Sequence, residues 1–171
     1  MAAKRIYLTG FMGCGKSTVG SMLAPALKWR FIDLDKYIED KEGRTIPEIF
    51  AAEGESFFRQ LENEALQDIV SMEDVVVATG GGAPCFLNNM QLMNESGLTV
   101  YLKVAPEELF LRLGPGKTER PLLAGKSDEE LLAFIREKLG EREPWYLQAK
   151  ETADAGLWGM DHYLRIVEKY L

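Results

Sequence analysis

The chain has 171 residues, 46% of them hydrophobic, which suits one domain with a sizeable core. Its net charge of −7 gives no overall attraction to nucleic acid or to an anionic membrane, and we expect neither as a partner. The two cysteines do not make a disulfide framework. Because the chain also shows no signal-peptide pattern and no run of 18 apolar residues, we expect a cytoplasmic protein.

The first predicted element is a short apolar strand over Arg5–Thr9, and a glycine-rich motif follows it directly. Residues 10–18 are GFMGCGKST, a complete G-x-x-x-x-G-K-[ST] phosphate loop in front of a helical pattern. Backbone N–H groups of such a loop surround phosphate oxygens, and the positive end of the next helix points at them. Lys16 is suited to reach the β- and γ-phosphates, and the Ser17 hydroxyl to ligate Mg²⁺. The motif predicts a nucleoside triphosphate site at Gly13, Cys14, Gly15, Lys16, Ser17 and Thr18.

A second strand is predicted over residues 31–35, and it carries two aspartates at its carboxyl end. Asp33 and Asp35 are two residues apart, so on a strand their side chains face the same way. One carboxylate is suited to orient Mg²⁺ and the other to accept a proton from a substrate hydroxyl. A helix N-cap is the alternative role for Asp35, because a helical pattern runs from it to about residue 42.

A longer helix is predicted from residue 56 to about 70, after a short helix that begins at Pro47. On it Arg59 is three residues before Glu62 and four after Glu55. Spacing alone favours a solvated ion-pair face. The alternative is a guanidinium that carboxylates hold rigid so that it binds a substrate carboxylate with two hydrogen bonds.

Residues 74–79 (DVVVAT) are the clearest strand, and three glycines, Gly80, Gly81 and Gly82, follow it. Glycine permits close approach of the backbone to a ligand. The remaining predicted elements alternate in the same way: a helix at 88–94, a strand at 98–104, and helices from 106, at 128–139 and at about 163–170. Such alternation predicts an α/β fold with a parallel sheet and helices on both faces, where ligands bind at the carboxyl ends of the strands.

Residues 114–127 are rich in glycine, proline and charge and have little apolar periodicity. We expect a mobile lid here, because phosphoryl transfer requires that water is excluded and that a cation reaches the γ-phosphate. Arg120 is the candidate cation. Arg142 lies after the helix predicted at 128–139, and from its position alone it is a candidate cap of that helix.

Together these segments resemble the shikimate kinase family over roughly residues 4–149. The resemblance rests on the ordered combination of the phosphate loop, Asp-x-Asp at 33–35, Phe-Arg-x-x-Glu at 58–62, Gly-Gly-Gly at 80–82, Arg-Pro-Leu-Leu at 120–123 and Arg-x-Pro-x-Tyr at 142–146. It implies a three-layer P-loop fold like that of nucleoside-monophosphate kinases. The implied organisation is one domain over residues 1–171, with substrate-binding helices at about 35–62 and a lid at about 114–127.

The resemblance also implies a monomeric enzyme that transfers the γ-phosphate of ATP to the 3-hydroxyl of shikimate, with Mg²⁺ as cofactor. The implied catalytic residues are Lys16, Asp35 and Arg120, and Ser17 and Asp33 hold the metal. Shikimate is bound by Asp35 and, at its carboxylate, by Arg59, Arg142 and Gly80, Gly81 and Gly82, with Phe50 and Phe58 beside the ring. Arg112 lies near adenine. Residues 150–156 show no clear apolar alternation, which leaves open whether a fifth strand forms there and contacts adenine.

Four other functions compete with this interpretation. Gluconate kinase is the nearest, because it has the same loop and because two arginines suit either acid. A GTPase is disfavoured by the absence of an Asn-Lys-x-Asp motif, and a nucleic-acid kinase by the absence of a basic stripe. A binding module without activity stays open, although every catalytic residue type is present.

Overall fold

A five-stranded sheet forms the centre of the protein. The computed structural model describes residues 2–115, 123–156 and 159–171. The strands are β1 Arg5–Thr9, β2 Arg30–Asp33, β3 Val75–Ala78, β4 Leu98–Lys103 and β5 Glu151–Asp154. They lie in the order β2-β3-β1-β4-β5, and all four neighbouring pairs are parallel. This arrangement confirms the predicted parallel α/β sheet.

Helices cover both faces of the sheet. Their bounds are α1 Lys16–Leu27, α2 Leu34–Glu42, α3 Ile46–Glu53, α4 Glu55–Val70, α5 Asn89–Ser96, α6 Pro106–Leu113, α7 Asp128–Tyr146 and α8 Met160–Val167. Alternate residues of β1 point to opposite sides: Ile6 and Leu8 join a core with α1, α6, α7 and α8, whereas Tyr7 joins a core with α2, α4 and α5. The predicted three layers are therefore present. No helix in the described part of the chain is long and apolar enough to cross a membrane.

Local chemistry explains where several helices begin and end. The side chain of Asp33 accepts a hydrogen bond from the Lys36 N–H and so caps α2. Thr45 forms a capping box at the start of α3. Proline disrupts helix interiors, and α1 includes Pro25 but ends two residues after it, with Lys28 in the left-handed conformation.

Two predicted boundaries are wrong. The second strand ends at Asp33 rather than residue 35, because the Asp33 side chain starts a helix and Asp35 lies in its first turn. Helix α7 continues past residue 139 to Tyr146, so Arg142 lies inside the helix and does not cap its end. Pro144 is tolerated in the last turns of that helix.

Residues 150–156 do contain a fifth strand, β5, so that part of the open question is answered. This edge strand pairs with β4 alone, and of its four residues only Ala153 is buried. An edge strand with one buried side chain needs no alternating apolar pattern, which explains why the sequence did not reveal it. The Lys150 N–H also donates to the Thr99 hydroxyl at 2.8 Å, which anchors the start of the strand.

Candidate active site

The three segments predicted at strand ends meet around one cavity of about 390 Å³. The phosphate loop follows β1, the two aspartates lie at and just after the end of β2, and the glycines follow β3. Their common cavity lies at the carboxyl edge of the sheet, where parallel folds bind ligands. The lining residues are Met12, Gly13, Gly15, Lys16, Ser17, Thr18, Asp33, Asp35, Ala78, Thr79, Gly80 and Gly81.

The phosphate loop has the backbone geometry that its glycines permit. Gly13 and Gly15 have φ values of 81° and 99°, in the left-handed region that side chains rarely adopt. A Cβ atom at Gly13 would also lie 2.8 Å from the Leu113 side chain. The Lys16 ammonium is buried and donates to the Gly10 and Phe11 carbonyls at 2.6 and 3.1 Å. The loop therefore holds this ammonium at the wall of the first cavity.

Ser17 and Asp33 form a pair of hard oxygen donors in the same cavity. The Ser17 hydroxyl donates to Asp33 Oδ2 at 3.0 Å. Oxygen atoms of this kind are the ligands that Mg²⁺ prefers, and the metal commonly keeps several waters beside one or two protein ligands. The donor set therefore fits Mg²⁺.

Asp35 and Glu62 are two carboxylates that approach Gly80 together. A Cβ atom at Gly80 would lie 3.1 Å from Asp35 Oδ1 and 3.3 Å from Glu62 Oε2. Burial, followed by the charge of Asp33, raises the pKa of Asp35. Burial likewise raises the pKa of Glu62 to about 7, although the adjacent Arg59 opposes this rise. Both groups are therefore stronger bases than ordinary carboxylates.

A second cavity of about 260 Å³ adjoins the first, with which it shares Met12, Asp35, Gly80 and Gly81. Two guanidinium groups face it, those of Arg59 and Arg142. It is otherwise lined by Ile46, Phe58, Glu62 and Gly82. A site with two guanidinium groups beside a glycine backbone suits a small carboxylic acid.

Arg59 is not on a solvated face, contrary to what spacing alone favoured. Its side chain is 12% exposed and donates from Nη1 to Glu62 Oε1 at 2.7 Å, and Glu62 itself is 1% exposed. Glu55 accepts a second, longer hydrogen bond of 3.3 Å. The guanidinium carbon also lies 4.1 Å from the centre of the Phe86 ring. Carboxylates and an aromatic face thus hold this guanidinium rigid.

A third cavity of about 380 Å³ lies on the other side of the phosphate loop. Arg112 bridges its walls, donating to the Cys14 carbonyl at 3.2 Å and to the Ala155 carbonyl at 3.1 Å. Ala155 follows β5 directly, so the fifth strand places one wall of this cavity. Gly13, Cys14, Gly15, Thr18, Val19, Met22, Arg112, Ala155, Gly159, Met160 and Tyr163 line it.

The structure brings most of the residues singled out from the sequence into these three adjoining cavities. Phe58 lines the second cavity, whereas Phe50 packs on Phe58 with ring centres 4.9 Å apart. Arg120, with residues 116–122 of the proposed lid, lies outside the described residues.

Sequence reasoning missed several lining residues, chiefly Met12, Thr79, Met22, Met160 and Tyr163. Met12 lies inside the phosphate-loop motif and Thr79 directly precedes the three glycines, so both positions were a usable signal. The last three lie on α1 and α8, where apolar side chains give no signal that separates a cavity wall from the core.

Comparison with known proteins agrees with this geometry. The family model "Shikimate kinase" matches residues 12–156. Shikimate kinase of Parabacteroides distasonis is 52% identical over 152 residues, which cover 89% of this chain and 88% of that protein.

Solved structures give the same result. The crystal structure of shikimate kinase from Bacteroides thetaiotaomicron superposes with a TM-score of 0.88 at 46% identity, covering 98% of this chain and 96% of that one. Shikimate kinase from Acinetobacter baumannii in complex with shikimate has a TM-score of 0.81 at 38% identity, covering 98% of this chain and 90% of that one. With a family model that spans most of the chain and relatives near half identity, the chain belongs to the shikimate kinase family.

Proposed function

We propose that the three connected cavities carry out the family's reaction, transfer of the γ-phosphate of ATP to the 3-hydroxyl of shikimate. Membership of the family makes the chain an ATP-dependent phosphotransferase with an alcohol acceptor. The observation that carries the proposal is that the first cavity shares lining residues with each of the other two: one suits a nucleoside, one suits phosphates, and one suits a small acid. A phosphate and a hydroxyl bound in adjoining cavities are positioned for in-line transfer.

The second cavity binds the shikimate carboxylate in this proposal. Arg59 and Arg142 supply planar guanidinium groups, and Gly80, Gly81 and Gly82 supply backbone N–H groups. Because Glu62 and Phe86 hold the Arg59 guanidinium, little side-chain entropy is lost when the acid binds. The preference for an acid over a neutral polyol follows from these charges.

The first cavity binds the triphosphate and activates the acceptor. Lys16 stabilises the negative charge that develops on the transferred phosphoryl group. Ser17 and Asp33 would hold Mg²⁺, which when bound neutralises phosphate charge. Asp35 accepts the proton of the 3-hydroxyl, a role that its raised pKa favours because a stronger base takes up a proton more readily.

The third cavity receives the adenine, with Arg112 against one face of the base. Guanidinium groups stack on aromatic rings, and the Arg112 hydrogen bonds to Cys14 and Ala155 hold it in a fixed position for this contact. The cavity's apolar side chains, Met22, Met160 and Tyr163, would cover the rest of the base.

We further propose that the chain is one domain over residues 1–171 and acts as a cytoplasmic monomer. Its substrate-binding helices are those of residues 35–62, and its lid is the segment 114–127 with Arg120. Two free cysteines, Cys14 and Cys85, suit a reducing compartment. Hydrogen exchange within 114–127, compared with and without nucleotide plus shikimate, tests the lid, and sedimentation of the purified protein tests the monomer.

A coupled assay of ADP release tests the reaction. Purified protein with Mg²⁺ and ATP is given shikimate, gluconate or a nucleoside as acceptor. We expect shikimate to give the highest kcat/KM. Faster turnover of gluconate would show that gluconate, and not shikimate, is the substrate. If no acceptor increases ADP release, the proposed reaction is refuted.

A further inference from the structure

The turn over residues 80–83 has four carbonyl oxygens, and the protein engages each of them. The carbonyls of Gly80 and Gly82 accept from the backbone N–H groups of Ala83 and Cys85, at 3.1 and 3.0 Å. Carbonyl oxygens repel a carboxylate, so a turn that binds an acid has to direct them elsewhere. Local backbone hydrogen bonds do this for two of the four.

Side chains from other helices engage the remaining two carbonyls. The hydroxyl of Tyr146, on α7, donates to the Gly81 carbonyl at 2.5 Å, and the amide of Asn89, on α5, donates to the Ala83 carbonyl at 2.8 Å. Among the described residues, no group accepts a hydrogen bond from the N–H groups of Gly80, Gly81 or Gly82. The carbonyls of the turn are thus all engaged by the protein, whereas the N–H groups of the three glycines, which line the second cavity, are left available to a ligand.

The Tyr146 contact acts on one particular donor. In a trans peptide the C=O and N–H groups point in opposite directions, so a hydroxyl that holds the Gly81 carbonyl also sets the direction of the Gly82 N–H. Because both residues are glycine, the peptide between them rotates at little steric cost. Without an external hydrogen bond, this rotation would replace the N–H with a carbonyl facing the acid.

Tyr146 is itself held in place. It is fully buried, and its ring stacks on Tyr101 with centres 5.2 Å apart. The Tyr101 hydroxyl in turn donates to Glu143 at 2.8 Å. The Tyr146 hydroxyl therefore has a fixed position relative to the turn.

We propose that Tyr146 is a positioning residue that orients the Gly81–Gly82 peptide so that the Gly82 N–H binds the carboxylate of the acceptor. The proposal rests on the proposed function, and it deepens it by assigning acid recognition to a residue that does not touch the acid. It predicts that loss of the Tyr146 hydroxyl weakens the binding of a charged ligand more than the binding of a neutral one.

The test compares shikimate with its methyl ester, in which the carboxylate is neutral. Calorimetric titration gives the ratio of the two affinities for the wild type and for Tyr146→Phe, which keeps the stacked ring. We expect the preference for the acid to fall about tenfold or more, the effect of losing one hydrogen bond to a charged group. An unchanged preference in Tyr146→Phe would overturn the proposal.

Tyr101→Phe is the matched control, because it removes another buried tyrosine hydroxyl from the same stack but does not touch the turn. It is expected to keep the wild-type preference, and an equal fall in both variants would overturn the proposal by indicating general loosening.

If Tyr146→Phe does not fold, NMR of the wild type decides instead. The chemical shift of the Gly82 amide is expected to change when shikimate binds but not when the ester binds, and a shift that does not distinguish the two would overturn the proposal. A wild type that shows no preference for the acid would contradict the proposed function itself.

Discussion

Replacing Glu62 by glutamine separates the electrostatic cost of this buried carboxylate from its role as a partner of Arg59. Glutamine keeps the shape and a carbonyl that accepts from the guanidinium, but it does not ionise. In the folded protein burial raises the pKa of Glu62 from 4.5 to about 7. Removing water from the carboxylate therefore outweighs the attraction of Arg59, as is common for buried ion pairs.

The magnitude follows from proton linkage. Above about pH 5.5 the unfolded chain has already ionised this residue, whereas the folded protein keeps the proton until the pH passes about 7. Over those roughly 1.5 pH units, stability falls by about 1.36 kcal/mol per unit, a total of about 2 kcal/mol. Higher pH destabilises the wild type through this residue, and Glu62→Gln lacks that contribution.

The assay is urea unfolding of both proteins at about pH 5.5 and about pH 8.5. We expect the stability of Glu62→Gln relative to the wild type to increase by about 2 kcal/mol between these values. Glu55→Gln is the control, because Glu55 also pairs with Arg59 but its side chain is 57% exposed. The reasoning is refuted if the difference between Glu62→Gln and the wild type is the same at both values of pH.

Three further substitutions test the proposed roles by steady-state kinetics. Lys16→Met should lower kcat about 10²–10³-fold, because an ammonium that stabilises developing charge is lost; a folded variant with near-normal kcat would contradict this. Asp35→Asn should lower kcat about 10²–10⁴-fold, and a change confined to the KM for shikimate would show that the residue only positions the hydroxyl. Arg142→Lys keeps the charge but loses the planar fork, so the KM for shikimate should rise and that for ATP should not; equal rises would indicate a structural role.

Sequence patterns predicted those parts of the site whose residues lie close together in the chain. The phosphate loop was evident because its glycines, its lysine and the preceding strand all lie within about a dozen residues. The carboxylates beside Arg59 were found in the same way, from helical spacing. What spacing did not give was burial: only packing against Phe86 and the glycine turn shows that the Arg59 pair faces a cavity.

Features that depend on distant residues were not predictable. The contact of Tyr146 with Gly81 joins residues 65 apart in the chain. Strand β5 is held by pairing with β4 more than by its own sequence. These features become visible only when the fold has placed the partners side by side.

The strand order of the sheet has a consequence for the synthesis of the protein on the ribosome. Strand β1 is made first but lies in the middle, between β3 and β4, and its hydrogen-bonded contacts join residues 71 and 91 apart in the chain. In a nascent chain β1 therefore lacks one neighbour until β3 has left the exit tunnel and the other until β4 has left it. Parallel pairing over such separations is slow. Until both neighbours are in place, nucleotide has no complete sheet edge at which to bind, and the unpaired apolar strands are exposed to aggregation.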